Sequence, residues 1–127
     1  MKHLRYSLIF LLISVSLLLP GCADRPHIKA ILDKAEAVME TEDPAAVYAM
    51  LDSIDTAELP SRRLKARYAL LYSQALDKNY IDLTTDSIIL PAVRYYRHHG
   101  NAEDKLKTLY YLGRIRKNAG DNAAAMR

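Results

Sequence analysis

The sequence predicts an all-α chain built of antiparallel helical hairpins. Three observations point there. Apolar residues recur at three- and four-residue steps in five successive stretches. Pro, Gly, Asp and Ser stand between those stretches, at positions that start or stop helices. No segment sustains the one-in-two alternation of a half-buried strand.

The chain opens "MKHLRYSLIFLLISVSLLLPGC". Lys2 and Arg5 supply positive charge, and Tyr6 to Leu19 form an apolar run of 14 residues interrupted only by serines. A helix needs about 20 apolar residues to cross a hydrocarbon core of ~30 Å, so this run is short for a permanent span. Charge, apolar middle and a Pro20-Gly21 exit match the layout of a secretory signal. Leu19-Pro20-Gly21-Cys22 resembles the lipobox of bacterial lipoproteins, with Pro20 where a small residue or threonine is commoner. The resemblance implies cleavage before Cys22 and a thioether-linked diacylglyceryl group on its sulfur, with palmitate among the acyl chains. Each buried CH₂ contributes ~0.8 kcal/mol, so two or more chains hold firmly where one holds marginally. Cys22 is the only cysteine, which excludes an intramolecular disulfide. The expected location is therefore outside the cytosol, lipid-anchored to the bacterial cell envelope, with the outer membrane the expected site.

The organisation read from the sequence is a signal over 1–21, a lipidated tether over 22–27 and a helical repeat domain over 28–127. Of 127 residues, losing the first 21 leaves 106, one small domain. Losing Lys2 and Arg5 leaves 16 basic against 15 acidic residues. Those charges are sorted. From Asp24 to Glu58 nine acids face three bases, and from Leu59 to Arg127 thirteen bases face six acids. Attraction between neighbouring helices explains such sorting, as does a basic ligand surface. Nucleic acid is an unsuitable partner for an exported, tethered domain.

Ile28, Ile31, Leu32, Ala35, Val38 and Met39 give the first helix its apolar face. Asp43 and Pro44 suit the N-cap and first position of a second helix carrying Val47, Met50, Leu51 and Ile54. Ser61 caps a third, striped with Leu64, Tyr68, Leu71 and Ala75. "DKNYIDLTTD" is a polar connection in which Thr84, Thr85 and Asp86 offer capping oxygens before a fourth helix. Pro91 means that this helix is kinked there or begins near Leu90. Gly100 ends it in the left-handed conformation. The fifth helix runs from Ala102 to Asn118, with Leu106, Leu109, Tyr110, Leu112, Gly113 and Ile115 on its packing side. "NAAAMR" opens one more.

"LYYLGRIRKNAGDNAAAMR" resembles the first helix, turn and opening second helix of a tetratricopeptide repeat, a unit of about 34 residues. Leu109, Leu112, Gly113 and Ala125 fit its large, leucine, glycine and small positions, while Arg116 and Asn122 stand where aromatics are usual. "ARYALLYSQAL" with "LPAVRYYRHHG" fits more loosely, through Leu71, Tyr72 and Ala92. Ala92 and Ala125 are 33 residues apart. The resemblance implies tetratricopeptide-like hairpins forming a short α-solenoid whose last repeat is incomplete. It implies in turn a scaffold that binds a protein or peptide. The order is also similar to the amino-terminal part of larger envelope proteins, in which such repeats precede a membrane span and a regulatory domain. The second expectation is accordingly a sensory or interaction part of a longer signalling or transcription-regulatory protein.

Reaction chemistry is sparse. Adjacent His98 and His99 point about 100° apart on a helix and lack a supporting ligand at i+4, so no metal is expected. Asp52 with Asp55, and Glu103 with Asp104, sit near helix ends where acids have a structural role. No phosphate loop, nucleophile elbow or HExxH motif is present, so neither catalytic residues nor a cofactor is expected. Aromatic and basic residues in the last three long helices suggest a peptide groove instead. Tyr68, Arg94, Tyr95, Tyr110 and Arg114, with Arg97 and Arg116 nearby, are its candidate residues for an acidic segment.

Overall fold

The computed structural model describes residues 25–120 together with His3. His3 apart, the signal over 1–21 lies outside the described residues, as do Cys22 and Ala125. Five α-helices follow one another: α1 Pro26–Glu40, α2 Pro44–Asp52, α3 Arg62–Lys78, α4 Leu90–Tyr96 and α5 Ala102–Asn118. A 3₁₀ turn, Thr56–Glu58, lies between α2 and α3. No strand occurs among the described residues, so the fold class is all-α.

Local chemistry sets the helix starts. The Asp43 carboxylate accepts from the Ala46 amide at 3.1 Å, with Pro44 in the first turn of α2. Ser61 Oγ accepts from the Leu64 amide at 3.2 Å, and Asn101 Oδ1 from the Asp104 amide at 2.8 Å. Pro26 opens α1 two residues before the apolar pattern begins, so part of the sequence-defined tether is helical. No side chain caps the start of α4, which begins at Leu90 with Pro91 in its first turn. Thr84 and Thr85 therefore do not cap it, while the Asp86 carbonyl accepts from the Ile89 and Leu90 amides. Gly100 has φ +79°, and a Cβ there would meet the Tyr96 ring at 2.7 Å. Both the conformation and the space demand glycine.

The helices pack in alternation. Asn79, at the end of α3, donates to the Pro44 carbonyl at the start of α2 at 2.8 Å, so these two run antiparallel. Arg67 of α3 holds Asp33 of α1 at 2.6 Å and also pairs with Glu36. Arg114 of α5 holds Asp77 of α3 at 2.8 Å. Thus α1, α3 and α5 lie side by side, with α2 and α4 packed between their neighbours.

Two apolar clusters share α3. The first joins Ile28, Leu32, Ala35 and Met39 of α1 and Val47 and Leu51 of α2 to Leu64, Tyr68, Leu71 and Ala75 of α3. The second joins Ala66, Ala69 and Leu70 of α3 to Ile89, Ala92, Tyr96, Tyr111, Leu112 and Ile115. The stripe read from the sequence covers only the first of these faces. On α5, spacing assigns Leu106, Leu109 and Tyr110 to the packing side, but they are 70%, 63% and 55% exposed. Leu112 and Ile115 are buried as the spacing assigns, and Thr108 and Tyr111 are buried with them. The correction is a rotation of the helix: its amphipathic stripe is broad, and α3 and α4 take the part centred on Tyr111 and Leu112.

Burial decides the expected cost of truncation. Leu64 is fully enclosed, so Leu64→Ala should lower unfolding free energy by about 2–5 kcal/mol. Leu106→Ala, on the open side of α5, should change it by less than about 0.5 kcal/mol. Urea unfolding of both variants checks the contrast.

Candidate functional site

The residues that the sequence nominated for a peptide groove do not converge. Tyr68 is part of the first core, only 9% exposed, with its ring stacked on Tyr72 at 5.3 Å. Tyr72 stacks in turn on Tyr48 at 5.9 Å and donates its hydroxyl to Asp52 at 3.1 Å. Burial first, and the Asp52 carboxylate second, push the Tyr72 phenol well above its usual range, so it remains a donor. Tyr95 is half-buried on α4, edge-on to Tyr96 and stacked on His99 at 4.6 Å. Arg94 is exposed on the same helix. Tyr110 stands on the open side of α5, edge-on to Tyr111 at 5.0 Å. Arg114 is not a free cation: Nη2 and Nε both donate to Asp77, at 2.8 and 3.1 Å. That bond raises the guanidinium pKa further.

The residues nominated for repeat packing are spread as well. Leu71 belongs to the first core, Ala92 and Leu112 to the second, and Tyr72 is half-buried against the first. Gly113 is half-buried, and Leu109 borders an open groove.

Among the described residues, three of the concavities between the helices reach about 300 Å³ or more. One of about 300 Å³ is bordered by Leu59, Lys65, Tyr68, Tyr72, Ile88 and Pro91. Another, about 360 Å³, brings Glu36 of α1, Arg63 and Arg67 of α3, Tyr95 and Tyr96 of α4 and Asp104 of α5 to one end of the bundle. Its charges are mixed. Arg67 is already engaged by Asp33 and Glu36, while burial, with the Glu36 carboxylate adding, raises the Asp104 pKa. Burial, with Asp104 next, pushes the neighbouring Tyr96 phenol up to about 12.

The third groove, about 390 Å³, runs between α4 and α5. Val93, Leu109 and Leu112 give it apolar walls, and Arg97, Lys105 and Arg116 rim it. No carboxylate of the described residues lines it. Arg97 and Arg116 are visible in the sequence reading as nearby cations. Lys105 and Val93 are not, although Lys105, Leu109, Leu112 and Arg116 return to one side of α5 at steps of four, seven and eleven.

The acids considered for catalysis have structural partners. Asp52 binds the Tyr72 hydroxyl, Asp55 accepts from the Ala57 amide at 2.9 Å, and Glu103 pairs with Lys107 at 2.6 Å. His98 is exposed, and no group of three metal-ligating side chains occurs among the described residues. No helix among them is long and apolar enough to cross a membrane. No protein-family model, curated protein or solved structure matches the chain.

Asp104 supplies a test of the electrostatics. Its folded pKa lies above the unfolded value, so its contribution favours folding below the ordinary carboxylate pKa and is lost as pH rises through the raised value. Asp104→Asn should therefore flatten stability against pH across that window. At neutral pH it should raise stability by less than about 1 kcal/mol, since the site is largely solvated. Thermal unfolding from pH 4 to pH 7 reads both effects.

Proposed function

We propose that this chain is a lipid-anchored envelope scaffold, not an enzyme, whose stacked helical hairpins form a short tetratricopeptide-like solenoid that binds another protein. The observation that carries the reading is the open side of α5. Leu106, Leu109 and Tyr110 stand exposed together at helical spacing, beside a groove walled by further apolar side chains. Exposed apolar stripes of this kind mark protein-docking surfaces.

The spacing of contacts between alternate helices supports the solenoid. Arg67 lies 34 residues from Asp33 and 31 from Glu36, and Arg114 lies 37 from Asp77. A repeat of about 34 residues brings equivalent helices side by side at these separations. Two features depart from a regular repeat: α4 has only 7 residues, and a long connection precedes it. The tether rests on the apolar run and Cys22 in the sequence, and the absence of a cofactor or metal from the proposal rests on the missing motifs.

A photo-crosslinking amino acid at position 109, in cells fed labelled palmitate, tests both halves. The expected result is a palmitate-labelled chain, unlabelled as Cys22→Ser, that yields discrete adducts with a second protein from position 109. Position 94, on exposed α4, should yield fewer adducts. Equal adducts at both positions, or wild type as unlabelled as the serine variant, would contradict the reading.

A further inference from the structure

We propose that the α4–α5 groove receives an acidic amphipathic helix of a partner protein, about three turns long. The inference rests on the docking reading of α5 and adds the chemistry of what docks.

Two groups of cations differ in what they engage. Arg67 and Arg114 are used internally, each holding a carboxylate of the preceding long helix. Arg97, Lys105 and Arg116 rim the groove, and none of the three pairs with a carboxylate among the described residues. Like charges gathered around an apolar slot repel one another unless an anion enters. Among the described residues the groove itself contributes no acid. An occupant that brings carboxylates to the rim and apolar side chains to Val93, Leu109 and Leu112 satisfies both demands.

The shape selects a helix. Lys105 to Arg116 covers eleven residue steps of α5, a track of about 16 Å, which matches about three turns of a second helix. A slot between two packed helices accepts the side-chain ridge of a third, and apolar anchors at i, i+3, i+4 and i+7 fit such a track. Leu106 and Tyr110 widen the apolar landing beside it. Exposed ion pairs supply selectivity and approach rate more than affinity, so the apolar contacts hold the helix and the cations choose it.

The test uses the full chain and three fluorescent peptides of about 16 residues, long enough for three turns with frayed ends. All share one Leu/Phe stripe, and their opposite faces carry Glu, Gln or Lys. Fluorescence anisotropy should show the Glu peptide binding about tenfold tighter than the Gln peptide at about 0.05 M salt, the order expected of three exposed ion pairs. That preference should shrink toward parity at about 0.5 M salt. The triple variant R97E/K105E/R116E should prefer the Lys peptide, and Arg94→Glu, outside the groove, should behave as wild type. Circular dichroism reports whether the triple variant folds; the salt series on wild type decides the matter if it does not.

Equal binding of all three peptides, or a Glu preference that salt leaves intact, would overturn the inference. So would binding of no peptide by a chain that self-associates through position 109, because the occupant is then a second copy. So would a groove that admits peptides only after residues 121–127 are deleted, because this chain then fills it. Discrete adducts at position 109 without charge selectivity would sink the inference and leave the docking reading standing, whereas missing adducts would sink the docking reading itself.

Discussion

The structure depends on burying α3 on two opposite sides. Leu64, Tyr68, Leu71 and Ala75 face α1 and α2, while Ala66, Ala69 and Leu70 face α4 and α5. A helix apolar around most of its circumference is stable in water only when neighbours cover it on every such side. Leu64, Ala66 and Ala75 have no exposed surface at all. The alanines let flanking helices approach closely, and the leucines fill what remains at interior packing density. Each full burial of a leucine contributes about 1.5–3 kcal/mol, so both clusters are anchored on this helix.

Electrostatics follows the same order. Each long helix after the first brings an arginine to carboxylates of the long helix before it: Arg67 to Asp33 and Glu36, Arg114 to Asp77. Of these pairs, those of Arg67 join the basic later part of the sequence to its acidic earlier part, whereas Arg114 and Asp77 both belong to the later part. Arg67 and Lys29 hold the Asp33 carboxyl below its usual range, yet Asp33 is solvated and the pairs add modestly. Their larger effect is on register, since a bidentate or forked guanidinium fixes how far one helix slides along the next. Arg97, Lys105 and Arg116 are among the cations this scheme does not consume, as are Arg62, Arg63 and Arg94 elsewhere on the helices.

Helix boundaries were legible in the sequence because they depend on nearest neighbours. Asp43 and Ser61 cap the helices that follow them, as their chemistry dictates, and Gly100 takes the left-handed conformation, although α4 already ends at Tyr96; Asn101, read as part of that stop, caps α5 instead. Facing was less legible. The apolar stripe of α5 is wider than the contact it makes, so spacing did not separate Leu109, exposed, from Leu112, buried. The second face of α3 escaped notice because alanines carry a weak apolar signal. Arg114 and Tyr68 looked available only because Asp77 and Tyr72, which engage them, belong to other turns and other helices. Connections were harder still: Thr84, Thr85 and Asp86 offer oxygens ahead of α4, yet no side chain caps its start.

An open stripe on α5 has meaning only if the rest of the bundle is rigid enough to hold it in place, and α3 supplies that rigidity. Amide hydrogen exchange on the full chain measures this directly. The amides of Ala69 to Ala75 should exchange slowest of all, opening only with global unfolding, while those of α5 exchange faster through local opening. Protection in α3 no greater than in α1 and α5 would contradict the account, because the two cores would then not depend on a shared helix.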